Sequence, residues 1–287
     1  MQFVQPQSAR DAARALADGG ATAHVLAGGT DLLVKMKSGM IEPGTVVDIK
    51  HVPGIRDITP EDGGFRIGAA VPGQELGEHA GVKALWPGVV EACELIGSTQ
   101  IQGRCTMVGN LCNGGPAADS VPAMIAAGAV ARVEGPEGSR DMAVEDIPAG
   151  PGQINLEPGE FISSVHLPAR PAGASDAYLR FIPRTEMDIA VASAGVSLQM
   201  AEDGTCAAAR VAIGAVGPRV VLVPDAGAAL VGTTLDDAAI GAMMTAVRAA
   251  ASPIDDKRGT VEYRIEVVGV LAKRAALIAR QRAGDRT

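Results

Sequence analysis

Two glycine-rich stretches, far apart in the chain, constrain this sequence more than any other feature. The first is Leu26-Ala27-Gly28-Gly29-Thr30-Asp31, which runs off the apolar segment Ala23 to Leu26 into a helix-like one. The second is Thr106-Met107-Val108-Gly109-Asn110-Leu111-Cys112-Asn113-Gly114-Gly115-Pro116-Ala117-Ala118-Asp119. Consecutive glycines let the backbone approach an anion and turn amide N–H groups inward as a concave nest. A helix starting at Thr30 or Asp31 adds its partial positive end to the same spot. Two such loops folded onto one another can grip a pyrophosphate between them. Each alone reads equally well as an ordinary tight turn.

The 287 residues are enough for a large core and two domains. Aromatic residues make up only 2%, so alanine, valine, leucine and isoleucine must fill the interior. A net charge of −8 argues against general nucleic-acid binding, which needs a concentrated basic footprint. The one basic concentration, Lys273, Arg274, Arg280 and Arg282, reads as a solvated helix face. No basic start precedes an apolar core at the N-terminus, and Val121 to Val133 is shorter than the ~20 residues that span a bilayer. The expected location is cytoplasmic. Cys93, Cys105, Cys112 and Cys206 form no CxxC pair, and His24, His51, His79 and His166 are scattered, so no metal site or cysteine-held cluster is expected.

Local patterns give an order of elements. Ser8 caps a helix from Ala9, with Asp11 three positions on, and Asp18-Gly19-Gly20 ends it. A strand over Ala23 to Leu26, the first glycine loop and a helix over Asp31 to Lys37 follow. Val46 to Ile49 and Phe65 to Val71 read as strands and Leu85 to Ile96 as a helix. The second glycine loop leads to a helix over Ser120 to Ala127, then strands at Ala129 to Val133 and Phe161 to Leu167. Pro168 to Ser175 is linker-like and marks the expected domain boundary. Beyond it come strands at Tyr178 to Ile182, Ala190 to Met200 and Cys206 to Val216, and helices at Asp225 to Leu230, Asp236 to Ala251 and Glu262 to Arg282. Strands and helices mixed without strict alternation indicate an α+β fold.

Familiar nucleotide and hydrolase sites are missing: there is no G-x-G-x-x-G after a strand, no G-x-x-x-x-G-K-[ST], and no G-x-S-x-G. The two glycine stretches, with the linker and the C-terminal half, resemble instead the FAD-binding medium subunit of the molybdenum-containing hydroxylases. That family includes the carbon monoxide dehydrogenase medium chain and the flavin domain of xanthine dehydrogenase. Ala27 to Asp31 matches its A-G-G-[TQH]-[DS] element, and Thr106 to Asp119 matches T-I-G-G-N-x-x-x-x-x-P-x-x-D. Phe181 to Ala194, with Arg184 and Asp188, and Asp256 to Arg264, similar to D-x-R-[AG]-x-x-E-Y-R, agree as well. The sequence departs from the pattern at Val108, where the family has a glycine, and at Arg180, where relatives often carry lysine. It also lacks the cysteine-rich insert of some relatives.

The resemblance implies the FAD-binding fold of the vanillyl-alcohol-oxidase type. Two α+β subdomains, about 1–55 and 56–174, would be followed by a C-terminal α+β domain, 175–287, with an antiparallel sheet and helices. It implies a FAD-containing electron-transfer subunit of a three-subunit enzyme, as a dimer of heterotrimers. The partners would be a small subunit with two [2Fe–2S] clusters and a large subunit with the molybdopterin cofactor. Electrons would pass from cluster to FAD to an external acceptor. For the site, the resemblance places the pyrophosphate on the segment from Leu26 and Ala27 through the amides of Gly28, Gly29, Thr30 and Asp31. The Asp31 carboxylate would turn onto its own helix amides. Thr106, Gly109 and Asn110 belong to the second loop, and Asn113 lies on the flavin or ribityl side. Ile101 is the apolar candidate against a ring. Asp119 either accepts from ribityl or ribose hydroxyls or caps the Ser120 helix. Arg180 either places charge near the isoalloxazine or, like Arg184, is an ion-pair partner. Lys35 and Lys37 read as a solvated helix face. Asp256, Arg258, Glu262, Tyr263 and Arg264 would cap the last helix or meet a partner. Two other readings stand beside this one: a stand-alone flavin oxidase or dehydrogenase, and a non-catalytic assembly subunit with weakened FAD binding, suggested by Val108.

Overall fold

Three larger sheets follow one another along the chain, with a two-stranded ribbon of Pro148–Gly150 and Gln153–Ile154 beside them, in a computed structural model that describes residues 1–285. Arg286 and Thr287, the end of the expected C-terminal domain, lie outside the described residues. The first sheet is parallel, in the order Gln2–Val4, Thr45–Asp48, Ala23–Leu26. Helix Ala9–Gly19 packs beside it with Ala12, Ala13 and Leu16 buried. Its start follows the cap chemistry: Ser8 Oγ accepts from the Asp11 amide at 3.1 Å and donates to the Asp11 carboxylate at 2.7 Å.

The second sheet is antiparallel, ordered Ile58–Glu61, Gly64–Gly68, Phe161–Leu167, Val130–Gly135, Gly138–Ala143. The third is antiparallel, ordered Ala174–Phe181, Ala192–Met200, Cys206–Gly214, Val221–Leu222. Helix Val261–Gly284 packs on its first two strands, and helices Pro87–Glu94 and Ser120–Ala126 of the preceding region also contact it. Glycine makes the second contact possible. A Cβ on Gly88 would lie 2.8 Å from the Ala177 backbone, and one on Gly195 would lie 2.6 Å from the Pro122 carbonyl oxygen. Tyr178, Ala212 and Val220 accordingly join the core of the first two sheets, and Arg282 of the last helix ion-pairs with Glu91. The fold is α+β.

Several expectations are corrected. The helix expected over Leu85 to Ile96 is two helices, Ala80–Leu85 and Pro87–Glu94. Trp86 breaks it, at φ −128° and ψ 63°, because the residue before a proline is driven out of helical geometry. The strand expected over Phe65 to Val71 is Gly64–Gly68. Strands Gln2–Val4, Ile58–Glu61 and Gly138–Ala143 went unrecognised. All three are edge strands with polar or exposed residues, which leaves little apolar alternation to read. The largest correction concerns the second glycine stretch, which is not a loop throughout: Met107–Cys112 is a helix, and only 113–119 is turn and loop.

Candidate functional site

The first glycine segment leaves the carboxyl end of the Ala23–Leu26 strand, the side of a parallel sheet on which ligands gather. Gly28 lies hard against the chain entering the second segment: a Cβ there would sit 1.9 Å from the Arg104 carbonyl oxygen. Only glycine permits that approach. Gly29 has φ +80°, and its carbonyl accepts from the Leu33 amide at 3.0 Å, opening the helix Leu32–Lys37. Among the described residues, the amides of Gly28, Gly29, Thr30 and Asp31 have no protein acceptor. Such a run of unsatisfied donors calls for an anionic or oxygen-rich ligand, or for water. Asp31 does not turn onto its helix: it has helical backbone geometry and no side-chain cap bond. Desolvation raises its pKa, opposed by the nearby Lys35 ammonium.

The second segment spends its amides differently. Thr106 is an N-cap, its Oγ1 accepting from the Gly109 amide at 2.8 Å, and the Asn110 amide donates to the Thr106 carbonyl at 3.0 Å. The Gly109 and Asn110 amides are therefore satisfied within the helix. Met107, Val108 and Leu111 turn into the core, which is the apolar spacing that makes a helix here. Val108 is 3% exposed and has no positive φ; it is packed in the core and also forms part of the wall of the cavity between the two segments. The Asn110 carboxamide oxygen accepts from the Ser120 amide and hydroxyl, at 3.1 and 2.8 Å, tying this helix to the next. Gly114, at φ +65°, ends the helix against Gly152 and Gln153.

A cavity of about 480 Å³ lies between the two segments. Ala27, Gly28, Gly29, Thr30 and Asp31 line one side, and Thr106, Gly109, Asn110 and Asn113 the other. Leu26, Ile101, Asp119 and Arg180 are not in its wall. Leu26 ends its strand, and Ile101 packs against Gly97 on the short helix Thr99–Gln102. Several wall residues were missed by sequence reasoning: His24, Lys35, Ile41, Ile49, Ile96, Ile154, Leu156, Phe161 and Ile162. The isoleucines and Phe161 carry no signal that separates a cavity wall from a core. Lys35 was misread as a solvated face; its Nζ donates to Asn113 Oδ1 at 2.7 Å and joins the two segments. His24, beside it, is held below the ordinary histidine pKa by desolvation and by the Lys35 charge.

Asp119 and Arg180 are brought together, with each other. Tyr178 Oη donates to Asp119 Oδ1 at 2.9 Å and Arg180 to Oδ2 at 2.6 Å, so both carboxylate oxygens accept from the third sheet. Asp119 makes no cap bond to the Ser120 helix. Desolvation pushes its pKa up to about 6, against the pull of Arg180 and Tyr178. Arg184 pairs with Asp188. Arg264 is buried, bonded to the Val191 carbonyl at 2.7 Å and to Asp256 at 2.6 Å, while Thr260 caps the last helix at the Tyr263 amide.

Free amides beside an ammonium, facing a wall of Ile49, Ile96, Phe161 and Ile162, suit a ligand with an anionic link and an apolar ring. Comparison with known proteins agrees. Residues 1–170 match the family model described as FAD binding domain in molybdopterin dehydrogenase, and 177–279 the CO dehydrogenase flavoprotein C-terminal domain. The chain is 33% identical to the carbon monoxide dehydrogenase medium chain of Afipia carboxidovorans, over 98% of this chain and 97% of that one. It is 28% identical to the 6-hydroxypseudooxynicotine dehydrogenase complex subunit alpha of Paenarthrobacter nicotinovorans, over 98% and 95%. Among solved structures, reconstituted CO dehydrogenase from Oligotropha carboxidovorans superposes with a TM-score of 0.94 at 32% identity, covering 98% of both chains.

Proposed function

This chain belongs to the FAD-binding subunits of the molybdenum-dependent dehydrogenases, and from that premise we propose that it carries electrons from the [2Fe–2S] clusters of a small partner subunit, through FAD, to an external acceptor. A large partner subunit with the molybdopterin cofactor completes a heterotrimer, paired as a dimer of heterotrimers. Relatives named for substrates as unlike as carbon monoxide and 6-hydroxypseudooxynicotine have similar chains, which supports placing substrate oxidation in a different subunit. FAD supplies the chemistry of taking up electrons singly and releasing them singly or in pairs.

The observation that carries the reading is the run of four free amides at Gly28 to Asp31, facing a cavity whose far wall is the second glycine segment. In this reading those amides hold the diphosphate, and Thr30 adds its hydroxyl. Thr106, Gly109 and Asn110 shape the opposite wall, and Asn113 faces the ribityl side. Ile96, Phe161 and Ile162 keep water from the ring. Asp119, Tyr178 and Arg180 position the second segment from behind, and Leu26 and Ile101 support it.

Two features weigh against the other readings. The assembly-subunit idea rested on Val108, which is packed into the core and contributes to the cavity wall, yet a cavity of about 480 Å³ remains open beside it. A self-sufficient oxidase of that type needs a cluster of Tyr, His or Arg side chains beside the ring; Tyr178 is fully buried on Asp119, Tyr263 lies on the surface, and neither lines the cavity. Among the described residues, His24 stands in its wall without a second histidine, a tyrosine or an arginine.

The test is flavin content. Purified with its partner subunits, the chain should be yellow and release about one FAD per copy on denaturation, the one-to-one stoichiometry of a single cofactor site. A colourless preparation that does not take up added FAD contradicts the proposal.

A further inference from the structure

We propose that Lys35 is a diphosphate-reading residue of this site: its ammonium, braced across the cavity by Asn113, recognises the anionic link of the cofactor and so selects FAD over flavins that lack phosphate. This rests on the FAD reading above and adds a residue to it.

Three observations carry it. Lys35 lines the cavity although it lies on the helix Leu32–Lys37, whose neighbouring residues Leu33, Val34 and Lys37 are exposed. Among the described residues, the one hydrogen bond of its ammonium is to a neutral acceptor, Asn113 Oδ1 at 2.7 Å, and no carboxylate forms a salt bridge with it. A lysine held by a neutral amide keeps its full charge and two further N–H donors for a ligand. Finally, the ammonium acts on both His24 and Asp31, which places it within electrostatic reach of the free-amide run that ends at Asp31.

The chemistry is complementary. Backbone amides contribute partial charges and directional bonds, but no net charge. Asp31 and Glu160 put carboxylates in the same cavity wall, and Glu160 is already paired with Arg140. A diphosphate entering such a wall needs a cation, and Lys35 is placed to provide it. Lys50, the other nearby lysine, is occupied by Asp48 at 2.6 Å. Asn113, reaching from the end of the second segment, sets the direction of the ammonium.

The test compares FAD with riboflavin, which has the ring and ribityl chain but no phosphate. Affinities of the full chain for both are measured by flavin fluorescence titration at low and high salt. Lys35→Met should weaken FAD binding roughly 10- to 100-fold, the range for a charge-assisted bond, and leave riboflavin within about twofold, while flattening the salt dependence of FAD binding. Lys35→Arg should retain most of the FAD affinity. Asn113→Ala, which keeps the cation but removes its brace, should give a smaller loss confined to FAD. Equal loss for both flavins, or no loss for either, overturns the proposal. A wild-type chain that binds riboflavin and FAD alike overturns it too, while leaving the chain a flavoprotein. A wild-type chain that binds neither removes the FAD reading itself.

Discussion

The two glycine segments look alike as sequence and behave differently as structure. In the first, both glycines are required, Gly28 by the approach of the Arg104 carbonyl and Gly29 by its φ of +80°, and the amides they carry stay unpaired. In the second, most amides are consumed by a capped helix, and only Gly114 of the Gly114–Gly115 pair is in the left-handed region. Glycine therefore leaves backbone N–H groups without a protein acceptor in one segment and lets a helix stop in the other. The first segment is a donor surface, and the second is a wall held from behind.

That contrast can be broken at several points. The largest effect is expected at the anchor of the wall. Arg180→Met leaves Asp119 as a buried carboxylate with only Tyr178 for support, and should cost about 3–5 kcal/mol at neutral pH by denaturant titration. Its pH dependence has a definite sign. Asp119 titrates at about 6 in the fold, against about 3.9 in an unfolded chain. Between these values the native state holds the extra proton, so this group's contribution to stability falls as pH rises through that window and stays reduced above it. In Arg180→Met the Asp119 pKa should move higher and the falling window should extend upward, visible by NMR of labelled aspartate carboxyls. An unmoved Asp119 would separate Arg180 from the second segment.

Next comes the donor surface. Gly28→Ala must force the segments apart, and FAD affinity should fall on the order of 100-fold, equivalent to about 2.7 kcal/mol. Binding at wild-type strength would mean that their close contact is irrelevant to the ligand. Thr106→Val removes the helix cap and should destabilise the chain by about 1 kcal/mol, measured by thermal melting. The smallest effect belongs to Gly115→Ala, where a new Cβ meets only Asn113 Nδ2 at 3.8 Å. FAD affinity and melting temperature should both stay at the wild-type values; a marked loss would mean that the two glycine pairs are equivalent after all.

Legibility in the sequence followed the same contrast. Strands Ala23–Leu26 and Phe161–Leu167 and the helix from Ala9 were readable because their signals are local: apolar runs, a Ser8 cap and a glycine stop. The edge strands were not, because pairing across a sheet leaves little trace in an exposed strand such as Gly138–Ala143. At the site, the glycine motifs located the two walls. The helix Met107–Cys112 was hidden behind them, although Thr106, a cap residue, and the spacing of Met107, Val108 and Leu111 encode it. Lys35 could not be separated from Lys37 by sequence, since only the fold turns one to the cavity and the other to solvent. Asp119 and Arg180 were singled out together, but their meeting needed the third sheet to lie against the second segment.

Amide exchange tests the central claim most directly. With hydrogen exchange followed residue by residue in the full chain, adding FAD should slow exchange at Gly28, Gly29, Thr30 and Asp31, whose N–H groups have no protein acceptor, while Gly109 and Asn110, already bonded, change little. Protection appearing elsewhere, with Gly28 to Asp31 still exchanging at the free-chain rate, would contradict the account.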